Sequence, residues 1–128
     1  MERFHYFVLA RLPEEWRLVL DNQEHILTLL IAQGLKEQKK LNPKEYLIFR
    51  CLLENRMRCS NTALFAALKG VDLETSERLL DEAKSKGTLY ETLSGLRTVI
   101  AQCRFLLKPF GIWIELKKRE GYFLRYVP

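Results

Sequence analysis

An α+β fold is the expectation for this chain, and three features carry it. Residues 3–41 break into short apolar runs separated by turn-forming residues, as an antiparallel sheet does. Residues 42–108 carry N-cap residues followed by apolar stripes at helical spacing. Residues 111–127 hold two short apolar runs on either side of Lys117-Lys118-Arg119-Glu120-Gly121, the pattern of a β-hairpin.

The four strands of the N-terminal sheet are read as follows. Arg3 to Leu9 is rich in aromatic and β-branched residues, and Pro13-Glu14-Glu15 interrupts it. Trp16 to Leu20 alternates apolar and polar at its start. Asp21-Asn22-Gln23-Glu24 is a polar turn, Ile26 to Ala32 an apolar run, and Gln33-Gly34 a tight turn into Leu35 to Leu41. A helix over Gln23 to Lys39 competes, because Leu27, Leu30, Ile31 and Leu35 also fit a period of 3.6. Gly34 opposes it by about 1 kcal/mol.

The helices begin after Leu41. Asn42 is an N-cap, Pro43 suits the first helical position, and Glu45 completes the spacing of a capping box. Tyr46, Phe49, Leu52 and Leu53 make its apolar stripe, and Asn55 and Arg56 close it. Ser60 caps a second helix that ends at Gly70, with Leu64, Phe65 and Leu68 inward. A third runs from about Leu73 to Lys86, where Lys84 and Lys86 complement the helix dipole and Gly87 is the stop. Thr88 caps a fourth, expected over residues 88–106, with Glu91 three residues on. Leu89, Leu93, Leu96, Ile100, Cys103 and Leu107 recur along it in steps of three and four, and Pro109 ends it. Ile112–Leu116 and Tyr122–Val127 are the hairpin strands.

Composition bounds the function. The chain has 128 residues, 48% hydrophobic and 29% charged, which suits a single folded domain over 1–128. Its longest apolar run has seven residues, far short of the roughly 20 that cross a bilayer, and Met1 to Tyr6 lacks the features of a signal peptide. A cytoplasmic protein with no membrane association is expected. Cys51, Cys59 and Cys103 are odd in number and lack zinc spacing, so buried thiols are expected and no metal. No Ser/His/Asp set, carboxylate pair or Gly-rich phosphate loop is present, which argues against an enzyme and against a cofactor. His5 and His25 lie in strand-like segments and are expected to be structural.

The net charge of +5 is uneven. Residues 1–40 carry six basic and six acidic side chains, residues 41–86 eight and seven, and residues 87–128 seven and three. A localised basic excess is the footprint of a polyanion partner. A helix followed by a hairpin with a basic tip is the outline of a winged helix-turn-helix, in which the helix enters the DNA major groove and the hairpin reaches the adjacent backbone.

Several motifs resemble the DNA-binding effector domain of OmpR/PhoB-type response regulators. Leu41-Asn42-Pro43-Lys44-Glu45-Tyr46, with Ile48-Phe49 and Leu52-Leu53-Glu54-Asn55, is similar to that family's L-T-P-K-E-F-x-L-L-x-x-L. Ser60 with Leu64 resembles its second-helix start, Leu93-Ser94-Gly95-Leu96-Arg97 its I-S-R-L-R, and Gly121-Tyr122-Phe123-Leu124 its closing G-Y-R-L. The family also sets a four-stranded antiparallel sheet before the first helix. The chain departs from it in three ways. Gly95, Thr98 and Val99 stand at positions where the family is basic, residues 71–87 are read as an extra helix, and no receiver domain is expected before the module.

The resemblance implies a bacterial-type transcription regulator that binds double-stranded DNA, with a homodimer on DNA and without a phosphorylation switch. The expected DNA-binding residues are Thr92, Ser94, Arg97, Thr98 and Arg104 on the helix and Lys117, Lys118 and Arg119 on the hairpin. Arg97 is the candidate for a base edge, the alternative being a salt bridge to a nearby acid. Trp113 and Tyr122 are expected in the core. A second reading is a protein-interaction module on the same fold, bound to RNA polymerase or another regulator.

Overall fold

The computed structural model describes residues 2–7, 9, 11–55 and 58–128. The first four elements are strands: β1 (Phe4–Phe7), β2 (Arg17–Asp21), β3 (Ile26–Ile31) and β4 (Gly34–Lys40). They pair antiparallel in sequence order, with a bulge between Leu29 and Leu30. Period two prevails over period 3.6 because Leu27 and Leu29 are fully buried while Thr28 between them is not. Gly34 turns the chain at φ +127, a conformation outside any helix. β1 is shorter than the run expected over Arg3 to Leu9, of which Val8 lies outside the described residues.

Asp21 organises the β2–β3 turn. Its Oδ1 accepts from the backbone N–H of Gln23 and Glu24 at 2.9 and 3.1 Å, and Arg3 donates to both carboxylate oxygens at 3.2 and 3.1 Å. The Arg3 hydrogen bonds, helped by the two backbone donors, hold this carboxyl below the ordinary aspartate range against the opposing effect of desolvation. A depressed folded-state pKa contributes stability that is present above the unfolded value and lost as pH falls through the folded one. Arg3→Ala should therefore flatten the acid limb of the stability–pH curve, read as urea midpoints from about pH 6 to about pH 2. Parallel curves for parent and variant would show that Arg3 does not shift Asp21.

Helix α1 (Pro43–Glu54) starts with the capping box read from the sequence. Asn42 Oδ1 accepts from the Glu45 N–H at 2.8 Å, and Glu45 Oε1 accepts from the Asn42 N–H at 2.9 Å. Asn55 is the C-cap, and Arg56 lies outside the described residues. The helix is fastened to the sheet at two points. Tyr46 stacks on His25 at 3.7 Å and donates from its hydroxyl to Asn22 Oδ1 at 2.9 Å. Phe49 meets Phe7 edge-on. His25, expected in a strand, lies in the β2–β3 turn at φ +56 and packs on Tyr46, whereas His5 is in β1 and exposed.

Helix α2 (Asn61–Lys69) is capped by Ser60, whose Oγ accepts from the Ala63 N–H, and ends at left-handed Gly70. Helix α3 (Leu73–Lys86), capped by Asp72, docks on α2 through the buried Ser76, whose Oγ donates to the Thr62 carbonyl at 2.7 Å. The single helix expected from Thr88 is two: α4 (Leu89–Thr92) and α5 (Ser94–Leu107), separated at Leu93 with φ −89 and ψ 0. Thr88 makes no side-chain cap with Glu91. The left-handed turn at Gly87 returns it to the end of α3, where its hydroxyl donates to the Ala83 carbonyl at 3.4 Å.

A 3-10 turn, Lys108–Phe110, leads into strands β5 (Ile112–Lys117) and β6 (Gly121–Tyr126). Ile112, Ile114, Tyr122 and Leu124 bury their side chains in the same core as α1, α5 and the inner face of the sheet. Cys59 adds a short third pairing at the tip end of β6: its N–H donates to the Tyr122 carbonyl at 2.8 Å, and the Tyr122 N–H to the Cys59 carbonyl at 2.7 Å. Trp16 meets Tyr126 edge-on and ties the N-terminal half to the hairpin. Among the described residues no helix is long and apolar enough to cross a membrane.

Candidate nucleic-acid interface

Helix α5 contains no acidic residue and two arginines, Arg97 and Arg104. Seven residues apart, they fall on one stripe of the helix. Leu96, Val99, Ile100, Cys103, Leu106 and Leu107 form the buried side, and the two half-buried arginines flank it. The amphipathic pattern read from the sequence therefore sets which residues α5 can offer to a partner.

Each arginine is held in place. Arg97 lies over the Tyr90 ring, 3.9 Å from its centroid, and its Nη2 donates to the Tyr90 carbonyl. It is half-buried and makes no salt bridge among the described residues, so the acid partner weighed from the sequence is replaced by an aromatic face. Arg104 lies over Trp113, 4.7 Å from the ring centroid, and its Nε donates to the Ile114 carbonyl at 2.9 Å. That bond docks the α5 stripe on β5, so helix and hairpin share one side of the molecule. It uses only Nε, one of five guanidinium donors.

The hydroxyls on this segment are partly engaged. Thr92 Oγ1 donates to the Thr88 carbonyl at 2.8 Å and Thr98 Oγ1 to the Ser94 carbonyl at 3.0 Å. Both retain acceptor capacity. Ser94 and Thr98 are exposed and Thr92 is half-buried. Glu91 is also exposed, beside the start of α5, where it opposes a phosphate.

At the hairpin tip the three basic residues differ. Lys117 is paired with Glu120 at 3.1 Å, and Arg58 reaches the same carboxylate at 3.3 Å. The Lys117 ammonium, with Arg58 behind it, holds the Glu120 carboxyl below its ordinary range. Lys118 and Arg119 are exposed and have no ion-pair partner among the described residues. Arg119 sits at φ +70 at the turn. Glu115 and Arg125 pair across the strands at 2.7 Å, farther from the tip.

Residues 94–128 hold seven basic and two acidic side chains, so the whole net charge of +5 resides there and residues 1–93 balance to zero. The concentration is sharper than thirds of the chain reveal, because Glu91 falls just outside α5. Tyr90, Trp113, Arg58 and Glu120 are the partners that sequence reasoning missed. Trp113, expected in the core, is 37% exposed beneath Arg104, whereas Tyr122 is buried as expected. Tyr90 and Arg97 share the seven-residue spacing of a helical stripe, but the break at Leu93 lies between them, so the stacking follows from the kink and not from the period. Among the described residues no three His, Cys, Asp or Glu side chains gather as a metal site.

A second surface adjoins the first. The other exposed side of α5, with Thr98, Ala101, Gln102 and Phe105, forms one wall of an open groove of about 730 Å³ whose opposite wall is β4. Phe105 is 73% exposed there.

No protein-family model matches this chain, and no curated protein or solved structure is detectably similar to it.

Proposed function

We propose that this protein is a DNA-binding transcription regulator of winged-helix type, in which α5 is the recognition helix and the β5–β6 hairpin is the wing. The observation that carries the reading is the acid-free stripe of Arg97 and Arg104, joined through Arg104 to the hairpin whose tip presents Lys118 and Arg119. Two arginines stacked on aromatic rings keep free N–H donors at defined positions, which suits base edges and phosphates alike. The short pairing of Cys59 with Tyr122 supports the same reading, since it anchors the hairpin between α1 and α2. With so few cations on α5, phosphate neutralisation supplies most of the affinity.

Binding to a mixed-sequence duplex, followed by fluorescence anisotropy across a salt series, tests it. Log affinity should fall linearly with log salt, with a slope near −0.9 for each phosphate neutralised. Lys118→Gln with Arg119→Asn should weaken binding to all duplexes alike and make the slope shallower by about 2. Asparagine is chosen because it accepts positive φ. Arg97→Ala should instead flatten discrimination between duplexes. If both variants bind every duplex as the parent does, α5 and the hairpin are not the reading face.

The second reading is a protein-interaction module on the same fold. Phe105, exposed in the groove beside β4, favours it, because a largely exposed aromatic ring suits a protein partner better than phosphate. Its partner would be RNA polymerase or another regulator. Stoichiometric capture of either purified partner, together with no duplex binding at low salt, would move the assignment to this reading.

A further inference from the structure

Cys51 and Cys59 stand apart from the surface described above. Cys51 belongs to the last turn of α1, and Cys59 pairs with the tip end of β6, just before the N-cap of α2. Their sulfurs are 3.2 Å apart, and both residues are buried. The two sulfurs would have to close by about 1.2 Å to reach the roughly 2.0 Å of a disulfide.

The two thiols differ in chemistry and in access. Cys59 Sγ also lies 3.0 Å from the Cys51 carbonyl, which accepts from the Asn55 side-chain amide and backbone N–H as well. Asn55 Nδ2 is 3.6 Å from Cys51 Sγ. The hydrogen bond from the Cys59 thiol holds Cys51 below the usual thiol range and pushes Cys59 well above it, with burial adding to the rise at Cys59. Cys51 is also the one with an approach. It lines an open depression of about 400 Å³ between α1, α2 and the start of α3, with Leu47, Arg50, Ala63 and Leu73. Cys59 does not line it and is fully buried. Cys103, also fully buried, lies in α5 without a sulfur partner, and desolvation raises its thiol.

We propose that Cys51 and Cys59 are a redox-modification site that closes to an intramolecular disulfide at the expense of a small-molecule disulfide of the glutathione type. Cys51, as the thiolate, attacks one sulfur of the small disulfide from the depression. This forms a mixed disulfide and expels one small thiolate. Cys59 loses its proton and attacks the Cys51 sulfur, forming the Cys51–Cys59 bond and expelling the second small thiolate. The two protons of the protein thiols end on the two released thiols, so one disulfide is reduced as one is formed. The product joins the end of α1 covalently to the bridge residue that holds the tip end of β6. The inference does not depend on DNA binding.

The full chain is equilibrated with oxidised glutathione under native conditions, with circular dichroism recorded to confirm that it stays folded. The expected result is loss of two of the three thiols and a mass lower by two hydrogens. A Cys51–Cys59 cross-link should appear in peptide maps, and dithiothreitol should reverse all of these changes. Cys103→Ser should react as the parent does. Cys59→Ser should stall as the glutathione mixed disulfide on Cys51, and Cys51→Ser should leave Cys59 unreacted. The proposal is overturned if the folded parent keeps all three thiols, if it stops at the mixed disulfide, or if the linkage found involves Cys103 or a second chain.

Discussion

Gly121→Ala is expected to destabilise the protein by about 2–5 kcal/mol, the sum of two separate effects. Gly121 has φ +93, where any residue with a Cβ is strained. A Cβ placed there would lie 2.4 Å from the Cys59 carbonyl oxygen and 2.7 Å from its carbon. Those atoms belong to backbone whose N–H and carbonyl both pair with Tyr122, so relief requires the tip end of β6 to part from the start of α2. Gly95→Ala provides the contrast. Nothing lies within 4 Å of its added Cβ, and Gly95 is helical, so alanine should stabilise by a few tenths to about 1 kcal/mol. Urea denaturation of both variants measures the difference. A Gly121→Ala midpoint equal to the parent's would show that the hairpin does not approach Cys59 this closely.

Phe49→Ala should cost about 3–5 kcal/mol, the range for removing a large buried aromatic side chain. Phe49 is fully buried, and its ring meets Phe7 at 79° with centroids 6.4 Å apart. It joins α1 to β1, so the cavity opens where the sheet and the helices meet, and α1 and the sheet cannot collapse on it independently. Phe105→Ala removes the same atoms from a ring that is 73% exposed and should change stability by no more than about 0.5 kcal/mol. The pair separates burial from residue type. Equal losses for the two would mean that Phe49 is not in the core.

Local rules made most of the elements legible. The capping box at Asn42 and Glu45 needs only four consecutive residues, and it forms as its spacing requires. Ser60 and Gly70 delimit α2 by the same local chemistry. The hairpin strands follow from alternation, and Gly121 from the turn between them. Thr88 shows where such rules end. It has the composition of a cap, but the end of α3 supplies a carbonyl that takes its hydroxyl, and the expected helix divides at Leu93. Propensity cannot register a competing acceptor brought in by another helix.

The candidate surface divides along the same line. Charge placement is a property of the sequence: all of the net +5 lies in residues 94–128, and α5 has no acid. What each cation does is not. Lys117 is neutralised by Glu120 while Lys118 beside it has no ion-pair partner among the described residues, because the turn folds residue 120 back on residue 117. Arg97 rests on Tyr90 and Arg104 on Trp113, residues joined to them only by packing.

Most of the secondary structure outside the Thr88–Leu93 break, the polar and apolar sides of α5 and the uneven charge were set by the sequence alone, since each depends on neighbours a few residues away. The approach of Cys59 to Tyr122 and Cys51, the partners of each arginine and the groove beside Phe105 were decided only in the folded chain, because they join segments that no local period relates.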